Sequence, residues 1–150
     1  MKQLVQRGNR VIAAVRQPAQ AEQLRALEVE LTQLDVSSPQ SVQDWAASVR
    51  ALTPHVDILI NNAGAYGRRV GFSDVTADDL HFTFTTNAVG PLLVVQALHR
   101  EGLLGGDAPT LVANVTSKMG RWALRWDAGL PIPFCHHIVV CLALRHPQAG

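Results

Sequence analysis

The stretch VDILINNAGAY runs from Val56 to Tyr66. It begins as a buried strand does, with Val56, Ile58, Leu59 and Ile60 crowded together. The apolar run then stops at two amides, Asn61 and Asn62, followed at once by Ala63 and Gly64. Amides that end a core strand can tie neighbouring strand ends together, because buried amides need hydrogen-bond partners. Ala63 and Gly64 have little or no side chain, so a flat ligand can approach the backbone there. An ordinary turn rich in Asn and Gly is the other reading of the same residues.

The flanking sequence alternates strand and helix. Arg10 to Val15 (RVIAAV) is an almost unbroken apolar run, the pattern of a strand buried on both faces. Pro18 suits the first turn of a helix reaching about Leu27. Val29 to Val36 reads as a second, less apolar strand nearer an edge. Ser38 is a candidate N-cap with Pro39 behind it, and Val42, Trp45, Ala46, Val49 and Leu52 make one apolar stripe. Val56 to Asn61 is the third strand. Thr76 and Asp79 form a capping-box-like start to a long helix ending near Arg100. Thr110 to Thr116 (TLVANVT) is the fourth strand. This order predicts an α/β fold with a doubly wound parallel sheet and right-handed crossovers. Ligands of such sheets sit beyond the C-terminal ends of the strands. The residues to weigh are therefore Arg16, Asp35, Asn61 to Gly64, and Thr116 with Ser117.

Composition narrows the function. The 150 residues suit one domain, and 47% hydrophobic with 17% charged residues can bury a core. A net charge of +1 without a Lys/Arg stripe disfavours nucleic acid and anionic membranes as partners. No apolar run approaches the roughly 18 residues of a membrane span, and the N-terminus has no secretory h-region. Cys135 and Cys141 are the only cysteines and cannot staple the whole domain. The expected location is cytoplasmic.

NNAG (Asn61 to Gly64) after a third strand, NAVGP (Asn87 to Pro91) inside the next helix, and NVTSKMG (Asn114 to Gly120) after the following strand together resemble the short-chain dehydrogenase/reductase family. The resemblance covers about residues 1–120, and VIAAVR with NNAGAYG is similar to small carbonyl-reductase-like members. It implies a Rossmann-type fold that uses NAD or NADP on a small carbonyl or alcohol substrate. By resemblance, Asn61, Ala63 and Gly64 line the nucleotide site near the adenosine ribose. Asp35 would accept from the adenine amino group and Val36 would pack by the ring. A local turn former is the alternative for Asp35. Arg16 would pair with a 2′-phosphate, favouring NADP over NAD; a solvated loop arginine is its alternative. Ser117 would hold the substrate carbonyl, its alternative being a strand-end cap. Pro91 has no N–H, which frees a carbonyl four residues earlier at Asn87. The resemblance gives Asn87 a relay water; a plain helix kink is the alternative.

The family's acid/base pair, YxxxK, is absent from this sequence: Tyr66 precedes Ser117, and the only lysines are Lys2 and Lys118. That pair contributes about 10²–10⁴-fold. Residues Met1 to Gly8 read as the tail of a first helix, so the glycine-rich loop and the family's central first strand are also missing. The sheet is expected to be partial, lacking that strand and the last ones, with two inner edges exposed unless they pair with each other. Residues 121–150 do not resemble the family and are expected to be a poorly ordered tail without a partner strand. A zinc site from Cys135, His136, His137 and Cys141 fits no common spacing; no metal is expected. Three functions stay open. One is an inactive fragment or variant of an NADP-dependent carbonyl reductase, with cofactor binding weak or lost. Another is a non-catalytic interaction protein, pairing as a homo- or heterodimer through the helix at residues 77–100. The last is a product without function.

Overall fold

The computed structural model describes residues 1–68, 70–116 and the strand 140–144. Along the chain lie α1 (Lys2–Gln6), β1 (Arg10–Val15), α2 (Glu22–Arg25), β2 (Glu30–Gln33), α3 (Pro39–Leu52), β3 (Ile58–Asn61), α4 (Ala77–Phe84), α5 (Gly90–Arg100), β4 (Leu111–Asn114) and β5 (Val140–Leu144). The strands form one five-stranded sheet in the order β2-β1-β5-β3-β4. β1 and β2 are parallel, with Ile12 opposite Glu30 and Val15 opposite Gln33. β3 and β4 are parallel, with Ile58 opposite Leu111 and Asn61 opposite Asn114.

The apolar stripe of α3 does what its spacing predicts. Val42, Trp45, Ala46 and Val49 are buried, and Ser38 caps the helix by accepting from the Ser41 N–H at 3.3 Å. The indole N–H of Trp45 donates to Thr32 Oγ1 at 3.0 Å, which anchors the helix on β2. One core cluster joins α3 to Ile12 and Ala14 of β1, Leu59 of β3, and Val94, Ala97 and Leu98 of α5. Val11 and Ala13 on the other face of β1 are also buried, so this strand is covered on both sides as its composition requires.

Three expectations need correction. The helix foreseen from Pro18 to Leu27 is two short pieces, a 3₁₀ turn at Pro18–Gln20 and α2. Ala21 between them sits at ψ 46°, outside the helical region, and breaks the register. The long helix at residues 77–100 is three consecutive segments, with a π turn at Thr85–Val89 between α4 and α5. The tail does contribute a paired strand. β5 lies between β1 and β3 and is antiparallel to both, with Leu142 opposite Ile12 on one side and Leu59 on the other. The two inner edges foreseen as exposed are therefore hydrogen-bonded, and the centre of an otherwise parallel sheet runs backwards. The remainder of residues 121–150 lies outside the described residues, as does the expectation about its order. No described helix is long and apolar enough to cross a membrane.

Candidate active site

β1 and β3 are each antiparallel to β5, so they point the same way, and so do their parallel partners β2 and β4. Arg16, Asp35, Asn61 and Asn114 therefore lie along one edge of the sheet, at the C-terminal ends of four strands. Two clefts open along that edge.

The cleft at the ends of β1 and β2 is open, about 500 Å³, and lined by Arg16, Gln17, Gln20, Ala21, Gln33 and Asp35. The Gln33 amide donates to the Arg16 carbonyl at 3.3 Å, which joins the two strand ends. The Arg16 guanidinium makes no ion pair among the described residues. Asp35 is more constrained. Its Oδ1 accepts from the Ser37 N–H at 2.9 Å and from the Ser37 hydroxyl at 2.6 Å, a local turn of the kind its alternative reading describes. Its own N–H donates to Ser41 Oγ at 3.0 Å. Val36 is only 3% exposed and belongs to the core. Gln17, Gln20 and Gln33 were not singled out from the sequence. Only the register of β1 on β2 brings them to this cleft.

The second cleft, about 410 Å³, lies at the ends of β3 and β4 against α5. Asn61, Ala63, Asn87, Pro91 and Asn114 are among its walls. Here the two amides of the decisive stretch find their use in part. Asn61 Nδ2 donates to Asn114 Oδ1 at 2.9 Å across the parallel pair. Asn61 is 3% exposed, and its Oδ1 has no partner among the described residues. Gly64 lies half-buried immediately before Ala65, which Asn87 clamps through both of its polar atoms. Asn87 Oδ1 accepts from the Ala65 N–H at 2.6 Å, and Nδ2 donates to the Ala65 carbonyl at 3.0 Å.

The π turn explains how Asn87 reaches that loop. The Gly90 N–H donates to the Thr85 carbonyl, five residues back, so one extra residue is accommodated and the side chains shift round the helix. The turn also changes which carbonyl Pro91 leaves without an N–H partner: Thr86 in the five-residue register, Asn87 in the four-residue one. Thr86 Oγ1 is likewise buried without a partner among the described residues. Gly90 has its own reason. A Cβ there would sit 2.8 Å from the Val36 carbonyl oxygen and 3.0 Å from Val36 Cβ. Only glycine lets α5 start this close to the segment after β2.

The loop between the two motifs is fastened to α4. Arg68 donates to both oxygens of Asp79, at 2.8 and 2.9 Å, and Asp79 also completes the capping box with Thr76. The Arg68 hydrogen bond, followed by those from Thr76, holds the Asp79 carboxyl well below the usual carboxylate range. The Thr76–Asp79 spacing was legible in the sequence, whereas Arg68 carried no signal of its partner.

Ser117 lies outside the described residues, and so do Cys135, His136 and His137. Among the described residues no three His, Cys, Asp or Glu side chains group as a metal site would require.

The family model described as short chain dehydrogenase matches residues 1–127. The C-signal of Myxococcus xanthus is 45% identical over 84 residues, covering 56% of this chain and 49% of that protein. Among solved structures, a carbonyl reductase from Pseudomonas aeruginosa PAO1 superposes with a TM-score of 0.67 at 27% identity, covering 87% of this chain and 61% of that one. A closed form of serine dehydrogenase complexed with NADP+ gives a TM-score of 0.67 at 25% identity, covering 80% and 49%. The chain spans half or less of the length of the first curated relatives it matches. Motif order, strand-end clefts and the match over residues 1–127 agree, and the chain belongs to the short-chain dehydrogenase family.

Proposed function

We propose that the chain carries the nucleotide and carbonyl-handling half of an NADP-dependent carbonyl–alcohol oxidoreductase. The observation that carries this reading is the placement of two clefts on one strand-end edge, with a cationic side chain at one and a tied amide cluster at the other. The residues present fit NADP at the adenosine end. Arg16, free of any ion pair among the described residues, would take the 2′-phosphate. The Asp35 carboxylate keeps an oxygen beyond its turn bonds to accept from the adenine amino group. Val36 is buried, so it would meet the ring through backbone. Asn61, Ala63 and Gly64 would border the ribose. When bound, NADP supplies or accepts the hydride. On the protein side, Asn87 fixes the loop that borders the ribose, and Ser117 would donate to the substrate oxygen as charge develops there. Because the 150 residues contain no YxxxK, this chain by itself is expected not to turn over.

Calorimetry with NADPH and NADH tests the binding half. Weak binding that prefers NADPH, and loses the preference in Arg16→Ala, supports the assignment. Equal affinity for both nucleotides in the unsubstituted chain would remove Arg16 from the site.

A non-catalytic pairing role is favoured by a different observation. Leu80, Phe82, Phe84 and Leu92 stand exposed along α4 and α5, with Phe84 at 65% and Leu92 at 57%. Such a surface suits a second subunit of the same family. Light scattering that stays monomeric across micromolar to millimolar concentration, alone and with a full-length relative, would dismiss this reading.

A further inference from the structure

Three serines hydrogen-bond to Asp35. The Asp35 N–H donates to Ser41 Oγ at 3.0 Å, and the Asp35 carbonyl accepts from the Ser38 N–H at 3.1 Å. Its side-chain Oδ1 accepts twice from Ser37, from the N–H at 2.9 Å and from the hydroxyl at 2.6 Å. The neighbours on either side, Leu34 and Val36, are buried, so the backbone of Asp35 is anchored in the core at both ends. A carboxylate oxygen offers about two acceptor sites. Ser37 takes both on Oδ1, and Oδ2 has no partner among the described residues. The bond from the Ser37 N–H is a common turn contact and leaves the carboxylate free to pivot, because its terminal torsion is soft. The hydroxyl adds a second bond to the same oxygen and fixes the plane of the group. Asp35 is half-buried and lines the open cleft that also holds Arg16.

We propose that Ser37 is a positioning residue that makes this cleft selective for a 6-aminopurine, the adenine of a dinucleotide, over a 6-oxopurine. The proposal rests on the reading of the cleft as the adenosine end of the site. A carboxylate oxygen accepts and cannot donate. Held in one place opposite C6 of the base, Oδ2 accepts from an amino group and repels a carbonyl oxygen. A carboxylate free to turn could instead accept from the N1–H that a 6-oxopurine carries, and would tolerate that base. The selectivity therefore lies in the fixing of the carboxylate plane by the Ser37 hydroxyl, and not in the negative charge alone.

Titrations of the full chain with NADPH and with its hypoxanthine analogue, in which a carbonyl replaces the amino group at C6, test this. The unsubstituted chain should favour NADPH by about tenfold or more, the worth of a hydrogen bond to a charged group. In Ser37→Ala the analogue should gain and bring the ratio within about threefold. Ser37→Thr keeps the hydroxyl and should restore the preference. If Ser37 only shapes the loop, both nucleotides weaken together in Ser37→Ala and the ratio stands; that result would overturn the proposal. So would a preference that is missing in Ser37→Thr as well. Either outcome leaves the adenosine reading of the cleft intact. Failure of that reading looks different: the unsubstituted chain then binds neither nucleotide, or both equally, and the role of Ser37 falls with it. Should Ser37→Ala lose its helical circular dichroism, Ser37→Cys decides, since a thiol nearly keeps the size and donates only weakly. Its ratio should fall in the same way, and an unchanged ratio would equally overturn the proposal.

Discussion

Arg16 and Asp35 on one side, and Asn61, Asn87 and Asn114 on the other, face clefts along the same edge of the sheet, yet they are held in opposite ways. The first cleft is walled mostly by long polar side chains, of which Gln33 and Asp35 are tied to neighbouring groups and the Arg16 guanidinium has no ion pair among the described residues. The second is built from short amides that each hold something: Asn61 holds Asn114, and Asn87 holds both polar atoms of Ala65. The amide side is thus fixed before any ligand arrives, at the cost of two buried oxygens, Asn61 Oδ1 and Thr86 Oγ1, without partners among the described residues. On the proposed reading the arginine side would be ordered by the nucleotide, so it should set preference rather than geometry.

That difference can be broken most severely at Asn87. Replacing Asn87→Ala leaves a backbone N–H and a carbonyl at Ala65 without their partners, and Ala65 is itself buried. A loss of about 2–3 kcal/mol in urea unfolding is expected, even after the better helix propensity of alanine is counted. A loss under about 0.5 kcal/mol would mean that water replaces the clamp without penalty. Gly90→Ala should come next. Propensity alone favours the change by about 1 kcal/mol, but the new Cβ meets backbone at 2.8 Å, and overpacking costs about 1–3 kcal/mol. Net destabilisation is expected; a stabilised variant would show that α5 can move away from Val36 freely. A double-mutant cycle on Asn61 and Asn114 should give about 1 kcal/mol of coupling. Zero coupling would leave the amide bridge without energetic weight.

Much of this was readable in residues. Unbroken apolar runs bounded by amides or arginine marked β1 and β3, and the α3 stripe and its Ser38 cap were legible because burial and capping act locally. What could not be read depends on register or distance. The pairing of β5 is not legible because IVVCLAL carries an apolar strand pattern but nothing that names its partners. The π turn follows from a hydrogen-bond shift that no residue pattern encodes, although Gly90 and Pro91 marked the place as irregular. The glutamines of the first cleft are ordinary surface residues until Val15 is set opposite Gln33.

The smallest effect is expected at Arg68 and Asp79, which lie between the motifs. Asp79 titrates below its ordinary value when folded, so its contribution is present above the unfolded carboxyl value of about 3.9 and is lost as pH falls below it. Because the pair is solvent-exposed on the arginine side, the effect should be slight and should shrink with salt. Asp79→Asn should flatten the acid limb of the stability profile; an identical limb in the variant would place the pH dependence elsewhere.

The central claim is that both clefts serve one nucleotide lying along the strand ends. Titrating NADPH into isotope-labelled chain and following backbone amide shifts tests it directly. The account predicts that Arg16, Asp35 and Val36 shift together with Ala63 and Gly64, with one common saturation curve. Shifts confined to α4 and α5, or different curves for the two strand ends, would contradict it.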